Sequence, residues 1–179
     1  MYYFRVTKYN PIYRDENGFY KKNEWISVGD IGQCYDGEIL TAENYQNIEN
    51  AYVNAILSAV YELKVKSFKI TCLQKNDYRE YGFVYEPQLK CLHKTISDKM
   101  IMSIIDIPDA AKLILRENLW AKLESNYLSI HFGYDYYIYF CAKKKLNQSL
   151  KIIEESGLFI RPVRKPEQAA SNRVKASRF

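Results

Sequence analysis

Close-paired cysteines are missing from this chain. Cys34, Cys72, Cys91 and Cys141 have none of the short spacings of a zinc ribbon or a redox pair. Histidine is scarce too: His93 and His131 are the only two, so paired-histidine metal motifs are excluded and acid–base relays are few. The seven glycines form neither a phosphate-cradling loop nor the flanks of a serine elbow. No apolar run approaches the ~20 residues that a membrane-spanning helix requires. The opening MYYFRVTKYN alternates with charge and has no apolar h-region. These absences predict a reduced, cytoplasmic protein with no cofactor, no metal and no membrane partner.

What the chain has in quantity is tyrosine. Its 179 residues are 47% hydrophobic and 26% charged, enough for one buried core and unlike a disordered chain. Among them are 17 tyrosines, 8 phenylalanines and 2 tryptophans. A tyrosine buries a large ring yet keeps a hydroxyl that needs a partner, so it suits wet cores, sheet surfaces and interfaces alike. Charge is unevenly placed. The net +5 comes entirely from residue 157 onward, where Arg161, Arg164, Lys165, Arg173, Lys175 and Arg178 face only Glu167. The rest of the chain sums to zero and offers no overall field to a polyanion. Lys143, Lys144 and Lys145 are a local exception, read as a solvated run at a strand end.

Residues 127–144, YLSIHFGYDYYIYFCAKK, can be read at the level of single side chains. Two runs rich in β-branched and aromatic residues flank Gly133-Tyr134-Asp135, which suits a three-residue hairpin loop. That loop pairs Phe132 with Tyr136, Ile130 with Ile138 and Leu128 with Phe140. Period two puts these six on a core face, and Tyr127, Ser129, His131, Tyr137, Tyr139 and Cys141 on the other.

Elsewhere the pattern predicts strands at residues 2–9, 24–31, 67–73 (with Phe68, Ile70 and Cys72 on one face, the thiol buried), 99–105 and 158–163. Turns fall at Glu16-Asn17-Gly18 and Tyr35-Asp36-Gly37. Thr41 caps a long helix whose stripe is Tyr45, Ile48, Tyr52, Ala55, Ile56, Ala59, Val60 and Leu63. Pro108 opens a second helix, running to about residue 125 and burying Ala111, Ile114, Leu115 and Leu119. Leu146, Leu150 and Ile153 mark a third, ended by Gly157. Residues 76–87 read as a polar, aromatic connection. The order predicts a single α+β domain over residues 1–163, mostly antiparallel with about three helices, followed by a mobile basic tail, 164–179.

No catalytic motif is present, and enzyme activity is not the favoured reading. His131 near Asp135 is the one conceivable general base with a carboxylate beside it. Asp106 and Asp109 suit a helix start better than a metal. The opening YYFRVTKYNPIYRDENGFY with Glu24-Trp25, the Asp30-Ile31-Gly32 step and IHFGYDYYIYF together resemble a group of small uncharacterised bacterial proteins. Proteins of this size and class often accompany polymorphic toxins as immunity partners, so the resemblance implies a protein-binding role and brings no active-site residue. Immunity proteins against nucleases are frequently acidic, and this neutral body departs from that pattern. The leading expectation is therefore a protein-binding module, plausible as an immunity-type protein neutralising a toxin, with Tyr127, His131, Tyr137 and Tyr139 as its surface. The alternative is nucleic-acid binding through Lys143, Lys144, Lys145, Arg164, Lys165, Arg173, Lys175 and Arg178.

Overall fold

Apolar alternation builds most of this fold. Nine strands and four helices follow one another in the computed structural model, which describes residues 1–83 and 86–164. Seven strands form one sheet in which every neighbouring pair is antiparallel. In spatial order they are β5 (Ile101–Ser103), β4 (Ser67–Lys75), β6 (Leu119–Glu124), β7 (Leu128–Phe132), β8 (Ile138–Ala142), β1 (Tyr2–Thr7) and β9 (Phe159–Pro162). The other two, β2 (Cys34–Tyr35) and β3 (Glu38–Ile39), form a small hairpin. Asp36 and Gly37 turn it at φ +50° and +87°, the twist that a two-residue loop demands.

The helices are α1 (Ala42–Glu62), α2 (Pro87–Thr95), α3 (Ile107–Leu115) and α4 (Gln148–Glu155). The fold class is thus α+β, with one helix more than the pattern predicts. Thr41 does cap α1, its Oγ1 accepting the Asn44 N–H at 3.0 Å. Tyr45, Tyr52, Ala55, Ile56, Ala59 and Val60 are buried along one stripe of that helix. They pack with the inward strand residues, among them Phe4, Val6, Phe68, Ile70, Ile130 and Phe140, in a single core. Burying each such large side chain stabilises the fold by about 1.5–3 kcal/mol.

The structure corrects the pattern at five places. The helix opened by Pro108 stops at Leu115, and Glu117, at φ +56°, turns the chain into β6. Leu119, Ala121 and Leu123 are buried in alternation there, so Leu119 is core as expected but on a strand. LWAKLE is made largely of helix formers, and pairing with β4 and β7 on both sides overrides that preference. Second, residues 24–31 are not a strand. Ser27 and Asp30 make a capping box around a short 3-10 turn, Val28–Asp30, and the Asp30 carboxylate takes the N–H groups of Ile26 and Ser27. Side chains here occupy the donors that a ladder would use. Third, helix α2 begins where the aromatic connection was expected to end, with Pro87 at its start and Leu89 as its buried anchor. Fourth, Cys72 is exposed, at φ +57°, because β4 slips register between Thr71 and Gln74.

The fifth correction concerns the hairpin. Its pairs are Leu128 with Ala142, Ile130 with Phe140 and Phe132 with Ile138, two residues beyond the predicted register. The loop spans residues 133–137, closed by Gly133 N–H to the Tyr137 carbonyl at 2.7 Å. A slip of two leaves each side chain on its predicted face. The cause is Tyr136, whose buried ring draws Asp135 and Tyr136 to φ +53° and +59°. Its hydroxyl reaches the Tyr45 hydroxyl and the Leu115 carbonyl, each at 3.0 Å, and its carbonyl accepts from Tyr52 at 2.6 Å. Gly133 fits that loop closely: a Cβ there would sit 3.1 Å from the Tyr137 carbonyl oxygen and the Tyr139 ring, so either would have to give by a few tenths of an ångström.

Candidate functional site

The outward residues of the sheet form a face on which many side chains stay half or fully exposed. Register places one straight row across it: Thr71 on β4, Lys122 on β6, His131 on β7, Tyr139 on β8, Arg5 on β1 and Arg161 on β9. At the usual strand spacing of about 4.8 Å, the row is roughly 24 Å long. Three of its polar atoms, Arg5 Nε, Thr71 Oγ1 and His131 Nε2, are shielded from solvent and hold no hydrogen bond among the described residues. Buried polar atoms are normally paired, so three in one row mark it out. Burial, then the neighbouring Lys122, push the His131 pKa below its ordinary value, against a smaller pull from Glu124.

Charge in the row is of one sign. Arg5 stands directly opposite Arg161 on the next strand, a juxtaposition that destabilises a sheet when nothing lies between. Among the described residues no carboxylate forms an ion pair with Arg5, Lys122 or Arg161. The Arg5 guanidinium lies 4.5 Å over the Tyr137 ring, and Arg14 donates to the Tyr137 hydroxyl at 2.6 Å. These contacts hold Tyr137 outward while Tyr136 turns in. Half-buried Trp120 donates its indole N–H to the Phe132 carbonyl at 2.9 Å, flanking the row on the β6 side.

A second feature is a cleft of about 530 Å³, lined in part by Lys8, Lys22, Glu24, Trp25, Asn44 and Ile48. The Lys8 ammonium sits 4.1 Å from the Tyr9 ring and 4.0 Å from the Trp25 ring, paired with Glu24 at 3.2 Å. Burial draws its pKa down to about 8, against the opposing pull of Glu24. Glu24 also accepts from Tyr20 at 2.8 Å and pairs with Lys22 at 3.3 Å. The arrangement is an aromatic box filled by its own lysine, tying residues 8–25 together.

Of the residues expected from sequence, the structure brings His131 and Tyr139 directly opposite each other. Tyr137 belongs to the loop at one end of the hairpin, not across from His131. Tyr127 lies beyond the other end, 50% exposed, with Lys143 5.9 Å from its ring. His131 and Asp135 do not form a dyad: no hydrogen bond joins them among the described residues, and the charges acting on His131 are those of Lys122 and Glu124. Lys143, Lys144, Lys145 and Arg164 are exposed. Lys165, Arg173, Lys175 and Arg178, with nearly all of the expected tail, lie outside the described residues. Arg5, Thr71, Lys122 and Arg161 were not anticipated as site residues. Alternation of Tyr3, Arg5 and Thr7 on one face of β1 was a usable signal, whereas Lys122 was hidden by the helical reading of its segment. Among the described residues, no helix is long and apolar enough to cross a membrane. No family model, curated protein or solved structure matches the chain.

Proposed function

We propose that the chain is a protein-binding module that docks another protein on the outward face of its sheet, in the manner of a bacterial immunity protein neutralising a toxin. The observation that carries this reading is the row from Thr71 to Arg161, with partly exposed aromatic and basic groups and three shielded polar atoms without partners. Tyrosine, tryptophan and arginine are the residues that anchor protein interfaces. All four thiols are free, which suits the reducing cytoplasm. The test is affinity capture from the native host with wild type and Tyr139→Ala, identification by mass spectrometry, and reconstitution with the purified partner. The wild type should bind and Tyr139→Ala should bind at least ~10-fold more weakly. Equal binding by both would remove the sheet face as the docking site.

Nucleic-acid binding is the second reading, supported by the exposed run Lys143–Lys145 beside Tyr127. It predicts a steep loss of affinity for a random duplex with added salt.

A further inference from the structure

We infer that the segment received by the outward face is an acidic stretch of the partner protein, its carboxylates laid across the strands along the row from Arg161 to Thr71. This chemistry rests on the docking reading above and specifies what the partner presents. Arg5 and Arg161 repel each other in the free protein, and a carboxylate between them turns that repulsion into two attractions. Stacking on Tyr137 holds the Arg5 guanidinium in place, so little side-chain freedom is lost when a carboxylate binds. Arg5 Nε and the Thr71 hydroxyl are donors without acceptors, already withdrawn from water. A small side-chain rotation that brings either donor to the surface would give it the acceptor it lacks. Lys122 adds a third cation to the row, and His131 a fourth when protonated.

An acidic protein segment suits the row better than a nucleic acid. The chain up to residue 156 sums to zero charge, so a polyanion meets no broad positive field. A single nucleic-acid strand also needs successive free ring faces. Here the Tyr137 ring is covered by Arg5 and packed against Tyr9.

The test is fluorescence anisotropy on the full chain at low salt, with labelled poly-glutamate and an oligouridylate of equal charge as probes. Lys122→Gln combined with Arg161→Gln removes two cations that hold no ion pair, and circular dichroism confirms the fold. Lys66→Gln with Lys94→Gln, two exposed cations outside the row, is the control, and the tail is common to every variant. Poly-glutamate should bind, and the Lys122/Arg161 variant should weaken it about 10-fold while the control leaves it nearly unchanged. Absence of poly-glutamate binding, or equal affinity in both variants, would overturn the inference. Tighter binding of oligouridylate, lost in the Lys122/Arg161 variant, would transfer the row to nucleic acid. Failure here is separable from failure of the docking reading. A captured partner lost by Tyr139→Ala yet kept by the Lys122/Arg161 variant leaves the docking face standing and removes only its acidic occupant.

Discussion

His131 titrates against its surroundings. Its ring faces Lys122 on β6 and Tyr139 on β8, with Arg5 and Thr71 further along the row and Glu124 as the nearby acid. Burial and Lys122 lower its folded pKa below the ordinary 6.5. The unfolded chain therefore takes up its proton first as pH falls, and stability drops from about pH 6.5 downward. Glu24, Glu62 and Glu86 are held below their ordinary 4.5, so their loss comes later. Denaturant melts at pH 7 and pH 5 should show a decline that His131→Gln largely removes; an unchanged decline would place its origin elsewhere. A second contrast lies within the hairpin. Ile138 is 1% exposed, and Ile138→Asp, burying a carboxylate with no cation, should abolish folding in a domain with only about 5–15 kcal/mol to lose. Tyr137→Ala loses the Arg14 hydrogen bond and the Arg5 stacking, costing about 1–2 kcal/mol. Thermal melts ranking Tyr137→Ala as the worse change would reverse the faces.

Between elements, the strongest polar tie is the clamp of Arg116 on Glu49. Arg116 Nε and Nη2 donate to the two carboxylate oxygens at 2.8 and 2.7 Å, linking the end of α3 to the middle of α1. Both side chains are nearly fully buried, and Phe83 lies 4.2 Å from the guanidinium. Arg116 Nη1 also pairs with Glu86 at 2.8 Å, so Arg116→Met should cost about 3–5 kcal/mol, chiefly by leaving buried Glu49 uncompensated; Glu49→Leu with Arg116→Met should recover the Glu49 share, since Glu86 keeps Lys112. Chemical denaturation of the two variants checks this, and equal losses would mean that the clamp acts mainly through packing. Nothing in the sequence announced the pair, because its partners lie 67 residues apart. What was legible was local: the cap and stripe of α1, the faces of β7 and β8, the turn at Asp36-Gly37, the stop at Gly157. What was not legible depended on distant neighbours. Segment 119–124 is a strand only because β4 and β7 flank it, and the loop lengthened because Tyr136 found Tyr45 and Leu115.

For the whole molecule, the strand order decides both the site and the stability profile. The basic row exists only because β1 inserts between β8 and β9, bringing residues near the start of the chain beside Tyr139 and Arg161. Summed charge concealed this, since a neutral total is compatible with a face of one sign. The same order buries β6, β7 and β8 in the middle of the sheet and leaves β5 and β9 at its edges. β5 is only three residues long, and β9 ends in Arg161 and Pro162, a charge and a missing donor that discourage pairing with another chain. Native-state hydrogen exchange should follow that gradient, with β6–β8 amides opening only through global unfolding and β9 amides by local fraying. Replacing Arg161 and Pro162 with valine should then lengthen the pairable edge and cause concentration-dependent association, visible by sedimentation. A variant that stays monomeric, with β9 exchanging as slowly as β7, would show that the β9 edge needs no such guard.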